Sequence, residues 1–147
     1  MHTTTHPEIT VTGGRTSWVQ VKSPRRGILV SAALVQREGD KEGFSWALFD
    51  SSLATPPTNG EKEEEKQRYV PEDRDTYIEH KHRITSQCVV PAGENIGHAA
   101  DLPCAFANRD PGTGATVKNP YIYLELTVPG TGPKVFGLFL EHEPPNL

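Results

Sequence analysis

Few residues in this chain are spaced for chemistry. His80 and His82 flank Lys81, and on a strand that spacing puts both imidazoles on one face, as a metal site needs. A third ligand, for which His98 or Glu79 would serve, is not fixed by spacing. Exposed, unliganded histidines are the simpler reading, so no metal is expected. Gly112-Thr113-Gly114 and Gly130-Thr131-Gly132 look like pieces of phosphate-binding loops, but neither completes GxGxxG or GxxxxGK[ST]. Both lie in a PGTG tetrad, and turn chemistry accounts for them: Pro fixes φ, and Gly tolerates positive φ. No GxSxG elbow is present. Cys88 and Cys104 are sixteen residues apart and in no CxxC, so they read as two buried thiols. The carboxylates crowd into an acidic stretch where burial that would raise a pKa is not expected. No catalytic residue and no cofactor follow from these groups. What remains is surface: a Thr-rich amino end and a basic loop at Lys22, Arg25 and Arg26.

The elements that would position such a surface are pleated. Tyr121–Val128 alternates Ile122, Leu124, Leu126 and Val128 with Tyr121, Tyr123, Glu125 and Thr127, a period of two. Pro129–Pro133 interrupts the run, and Lys134–His142 returns with Phe136, Leu138 and Leu140 on one face and Val135, Gly137 and Phe139 on the other. This stretch, Asn119–His142, is expected to be a hairpin at the centre of the core, with its second strand in the middle of a sheet. Arg26–Gln36 alternates Ile28, Val30, Ala32 and Leu34 with Leu29, Ser31, Ala33 and Val35, and Phe44–Phe49 places Phe44, Trp46 and Leu48 together. The segments 26–36 and 43–50 are expected to form a second hairpin around the turn Glu38–Gly43. Glu8–Thr12, Thr16–Lys22, Arg83–Val90 and Leu102–Ala107 complete about eight short strands, with Asn95–Asp101 and Asn108–Asn119 as connections. Residues 1–10 read as a polar N-terminal arm.

The segment Ser51–His82 differs in kind. Ser51–Gly60 is a Ser, Thr and Pro loop, and Glu61–His82 carries eight acids against five Lys or Arg. Glu61–Tyr69 could make a short helix that Pro71 stops. The stretch reads as a solvated charge run, or as a long insertion lying over a neighbouring subunit.

Size and composition agree with one all-β domain over residues 1–147. The chain has 147 residues, near the mode for a single domain, and thirteen each of Gly and Pro punctuate it too often for long helices. The expected fold is a two-layer antiparallel β-sandwich, jelly-roll-like, with the long charged insertion at 51–82. A net charge of −4 argues against a nucleic-acid face. No apolar run approaches the ~20 residues of a membrane span, and the first ten residues lack the apolar core of a secretory signal.

The pattern GILVSAALVQREGDKEGFSWALFDS, then NRD, then NPYIYLELTVPGTGPKVFGLFLEHE, resembles small virion structural proteins of tailed bacteriophages, of the head decoration (cement) type. Phe44, Leu48, Phe49, Asp50 and Ser51 carry the first part of the likeness. Asn108, Arg109, Asp110, Asn119, Pro120, Tyr123, Leu124, Lys134 and Phe136 carry the second. The resemblance covers about half the chain and rests on strand and turn residues, and the 51–82 insertion departs from it. It implies a non-enzymatic β-sandwich on the capsid surface, made in the host cytoplasm, whose partners are the major capsid protein and further copies of itself, often as a trimer. Neither nucleic acid nor membrane is an expected partner. The amino-terminal arm could add to a capsid sheet edge through main-chain hydrogen bonds, which makes Thr3, Thr4, Thr5, His6, Arg25 and Arg26 the expected partner interface. Other readings are another phage head or tail structural component, a carbohydrate-binding sandwich with Trp18, Tyr121 and Tyr123 stacking on sugar rings, and a cupin-type metalloenzyme using His80, His82 and a distant histidine.

Overall fold

The computed structural model describes residues 2–50, 83–108 and 118–144. Ser51, Arg109, Asp110, the 61–69 helix, His80 and His82 fall outside them, as does the 51–82 insertion. Among these residues nine strands run in chain order: β1 His2–Thr12, β2 Arg15–Lys22, β3 Arg26–Glu38, β4 Phe44–Asp50, β5 Cys88–Val90, β6 Ile96–His98, β7 Cys104–Ala107, β8 Tyr121–Val128 and β9 Pro133–Glu143. They build two antiparallel sheets that pack face to face. One has the order β1-β9-β3-β6, with β7 also on β3; the other runs β2-β8-β4-β5. The pairing is nested: β1 with β9, β2 with β8, β3 with β6 and β7, β4 with β5. Curling that ribbon so that β9 also meets β3 and β8 meets β4 gives a jelly roll.

Both expected hairpins are absent. β8 and β9 lie in different sheets, and so do β3 and β4, so each connection arches from one layer to the other. Alternation cannot distinguish the two cases, because a strand presents the same apolar face to a partner beside it or opposite it. Three such arches, at Gly13-Gly14, at 39–43 and at 129–132, meet at one end of the sandwich. Gly13 N donates to Gly132 O at 2.8 Å, and Gly14 N to Val128 O at 2.6 Å. The buried Lys134 joins the other two: its Nζ donates to Asp40 O at 3.2 Å and lies 3.5 Å from Glu42 Oε2. Gln36 Nε2 donates to the same Asp40 carbonyl at 2.9 Å.

The core is the expected one, with one shift. Leu124, Leu126, Phe136, Leu138, Leu140, Trp46 and Leu48 fill the space between the sheets, and Phe44 meets Phe136 edge-on at 4.9 Å. On β3, the faces read from alternation change at a bulge between Leu29 and Ser31, so Leu29 turns inward with Ala32 and Leu34. An extra residue in one strand reverses the side on which every earlier residue points. As expected, β9 sits inside its sheet, between β1 and β3.

Three further readings are corrected. Of 83–90 only Cys88–Val90 is a strand; Arg83 makes an isolated bridge to Phe49, and Ile84 N donates to Leu48 O. Ile96–His98, read as a connection, pairs with β3, and Gly97 lets it lie close against the other sheet: a Cβ there would meet Val90 Cγ2 of β5 at 2.5 Å. The outer face of the β8 sheet holds a second apolar cluster of Trp18, Ala47, Phe49 and Tyr123. Trp18 and Tyr123 are buried and Tyr121 is half-buried, so these rings are not an exposed stacking platform.

Candidate interaction edge

The polar amino end is not a free arm. Residues 2–6 pair in register with β9, from His2 opposite His142 to His6 opposite Leu138. A β-bulge at Pro7 and Glu8 follows, and Ile9–Thr12 resume the ladder against Phe136–Pro133. Threonine is a good strand former, and proline is tolerated where a bulge removes the need for its N–H. Arg37 reaches across β9 to hold this bulge, its Nη1 donating to Pro7 O at 3.1 Å. Among the described residues β1 is the last strand of its sheet, and no further described strand pairs with its outer edge. Thr3 and Thr5 are exposed there, and Thr4 is half-buried.

The basic turn lies against the same end of β1. His6 Nε2 donates to Lys22 O at 3.0 Å and ties the edge strand to the end of β2. Together Thr3, Thr4, Thr5, Lys22, Ser23 and Pro24 line an open cleft of about 490 Å³, with His2 and His142 at its base. Arg25 and Arg26 follow directly and are exposed beside the cleft, without lining it. The turn is held from behind by Asn108, which is buried. Its Nδ2 donates to Pro24 O at 2.7 Å and Ser23 Oγ at 3.2 Å, and its backbone N donates to Arg25 O at 2.7 Å. Gly27 completes the turn, since a Cβ there would stand 2.8 Å from Glu143 O.

His142 is a buried polar group of this end as well. Its ring stacks on His2 with centroids 5.7 Å apart, and its Nε2 shares a 3.0 Å hydrogen bond with Thr4 Oγ1. Burial first, and then the neighbouring His2, push its pKa below the ordinary imidazole value; Glu143 pulls weakly the other way. Neither Asn108 nor His142 was singled out from the sequence. Asn108 was visible only as part of the quoted NRD, and no local signal marks a histidine that will face inward at a strand end.

The remaining candidates are dispersed. His98 is exposed on β6, and among the described residues no three His, Cys, Asp or Glu side chains converge as metal ligands. Among those residues no helix is long and apolar enough to cross a membrane. Cys88 and Cys104 are free thiols, half-buried where the sequence suggests full burial. Burial raises the pKa of both, with Asp50 adding to the rise at Cys104 and a contact with Trp46 opposing it at Cys88. At pH 7.5 both should therefore react with a disulfide reagent more slowly than free cysteine, because the thiolate is the reactive form. Stopped-flow titration with an aromatic disulfide reports this directly, and a rate equal to that of free cysteine would contradict it.

No family model, curated protein or solved structure matches the chain. The arrangement at this edge offers main-chain hydrogen bonding along β1, hydroxyls at Thr3 and Thr5, and positive charge at Lys22, Arg25 and Arg26. That combination suits adhesion to another protein's strand and acidic surface.

Proposed function

We propose that this chain is a non-enzymatic structural protein of the virion, a head decoration protein that binds the major capsid protein and stabilises the shell as a homo-oligomer. The observation that carries this reading is the open, Thr-rich edge of β1 beside the basic turn 22–26. The likeness to tailed-phage virion proteins supports it, as does a rigid jelly roll whose interior is packed with side chains. Strand addition at β1 would attach each copy modestly, and three copies in a trimer would add their contacts by avidity. The carbohydrate reading loses the platform on which it stood, because Trp18 and Tyr123 are buried.

Because residues 2–6 pair with β9, deleting them would uncover β9 as a new sheet edge in place of the one under test. The sharper test is the double variant Thr3→Lys, Thr5→Lys, at two exposed positions. Lysine on an edge strand opposes further strand pairing. Mixed with shells stripped of decoration, the variant should sediment with them at least about tenfold less than the native chain, since identical weak contacts are lost at every copy. Its melting temperature should stay unchanged. Full occupancy of the shells by the lysine variant would overturn the reading.

A further inference from the structure

We propose that residues 2–6 of β1 form a pH-released arm, docked on β9 at neutral pH and freed in mild acid by swinging about the Pro7–Glu8 bulge. The strand is divided chemically at that bulge. Beyond it, Ile9 and Val11 are buried in the core and anchor the second half. Before it there is no apolar side chain; the inward positions are His2, Thr4 and His6. The grip of the first half is therefore polar: the His2–His142 stack, the Thr4–His142 hydrogen bond and the His6 bond to the Lys22 carbonyl. Arg37 fixes the Pro7 carbonyl, so the hinge point stays in place when the residues before it move.

Acid attacks that grip at its buried member. Acting on His142 are His2 on β1, the amino terminus of the chain and Lys22 across the cleft, all able to carry positive charge, with Glu143 of β9 as the one acid among the described residues and Leu29 of β3 uncharged. Glu141 is exposed and hydrogen-bonded to Ser31, on the opposite side of β9. A proton on His142 would place a charge on a buried ring stacked against His2, and Nε2 could then only donate to Thr4 Oγ1. The sign follows from the lowered pKa. The docked arm binds protons less readily than the released one, so docking is at full strength above the ordinary imidazole pKa of 6.5 and weakens as pH falls below it. Breaking this contact needs no unfolding elsewhere, because the arm is a strand end at a sheet edge.

Hydrogen exchange read by mass spectrometry on the full chain at pH 7.5 and 5.5, with the intrinsic pH effect removed, tests the proposal. Protection of residues 2–6 should fall several-fold in acid, the direction set by the lowered pKa of the docked His142. Protection of β4 and β8 should hold. In His142→Gln the acid response should vanish. Should that variant fold poorly, His2→Gln, which leaves the buried ring in place, should show a smaller response than the native chain. Equal protection of residues 2–6 at both pH values, or an acid response as large in His2→Gln as in the native chain, would refute the arm. Neither result depends on capsid binding, so this test stands apart from the one on decorated shells.

Discussion

Replacing Phe136 with alanine should cost about 3–5 kcal/mol of folding stability, the loss measured when a fully buried aromatic side chain is truncated in a core that collapses only partly. Phe136 has no exposed surface, and it lies where β9 leaves the arch between the layers, edge-on to Phe44. Removing the ring deletes the pair contact and opens a void against strands β1, β3 and β4 at once. For a domain near 150 residues this corresponds to a fall in melting temperature of roughly 10 °C. Urea unfolding followed by tryptophan fluorescence would report it through Trp46. A change of less than about 1 kcal/mol would mean that the two layers do not meet at this ring.

Gly14→Ala should be far more damaging than the same change at Gly132 in the facing arch, costing about 2–3 kcal/mol. Gly14 and Gly132 both have positive φ, +84° and +80°, so alanine strains the backbone alike at each. They differ in space. A Cβ on Gly14 would stand 2.9 Å from the Gly130 carbonyl oxygen, a backbone atom locked in the neighbouring arch, while nothing lies within 4 Å of the same atom on Gly132. Gly132→Ala should therefore cost only the conformational part, about 1 kcal/mol. Melting curves of the two variants separate strain from collision. Equal losses would show that the arches do not press on each other there.

The pleat and its layers were legible because alternation with period two survives any tertiary arrangement. Ile122, Leu124, Leu126 and Val128 point inward as their spacing requires, and so do Phe136, Leu138 and Leu140. What alternation does not encode is the partner. Turn residues at 129–133 serve a hairpin and an arch equally well, so the pairing of β8 with β2 and β4 had no local mark. The site was half legible for the same reason. The Thr-rich end and the basic turn were each visible, but only the register of β1 on β9 brings Thr3–Thr5 against Lys22. With Thr at 3, 4 and 5 and His at 2 and 6, residues 1–7 carry no apolar pattern that would place them in a sheet. His142 and Asn108 act through neighbours more than eighty residues away, His142 on His2 and Asn108 on Ser23, and separations of that length leave no trace in a window of sequence.

The nested pairing has a bearing on how the chain is made. Strands β1 and β3 both rest on β9, and β2 and β4 both rest on β8, so the amino-terminal half has no completed sheet until the last strands emerge from the ribosome. At about 5–20 residues per second, β1 waits several seconds for its neighbour, with its unpaired backbone open to other nascent chains. Such a topology is dominated by contacts remote along the chain, which slow folding. A carboxyl-terminal truncation before β9 is therefore expected to yield aggregate in place of a smaller folded domain.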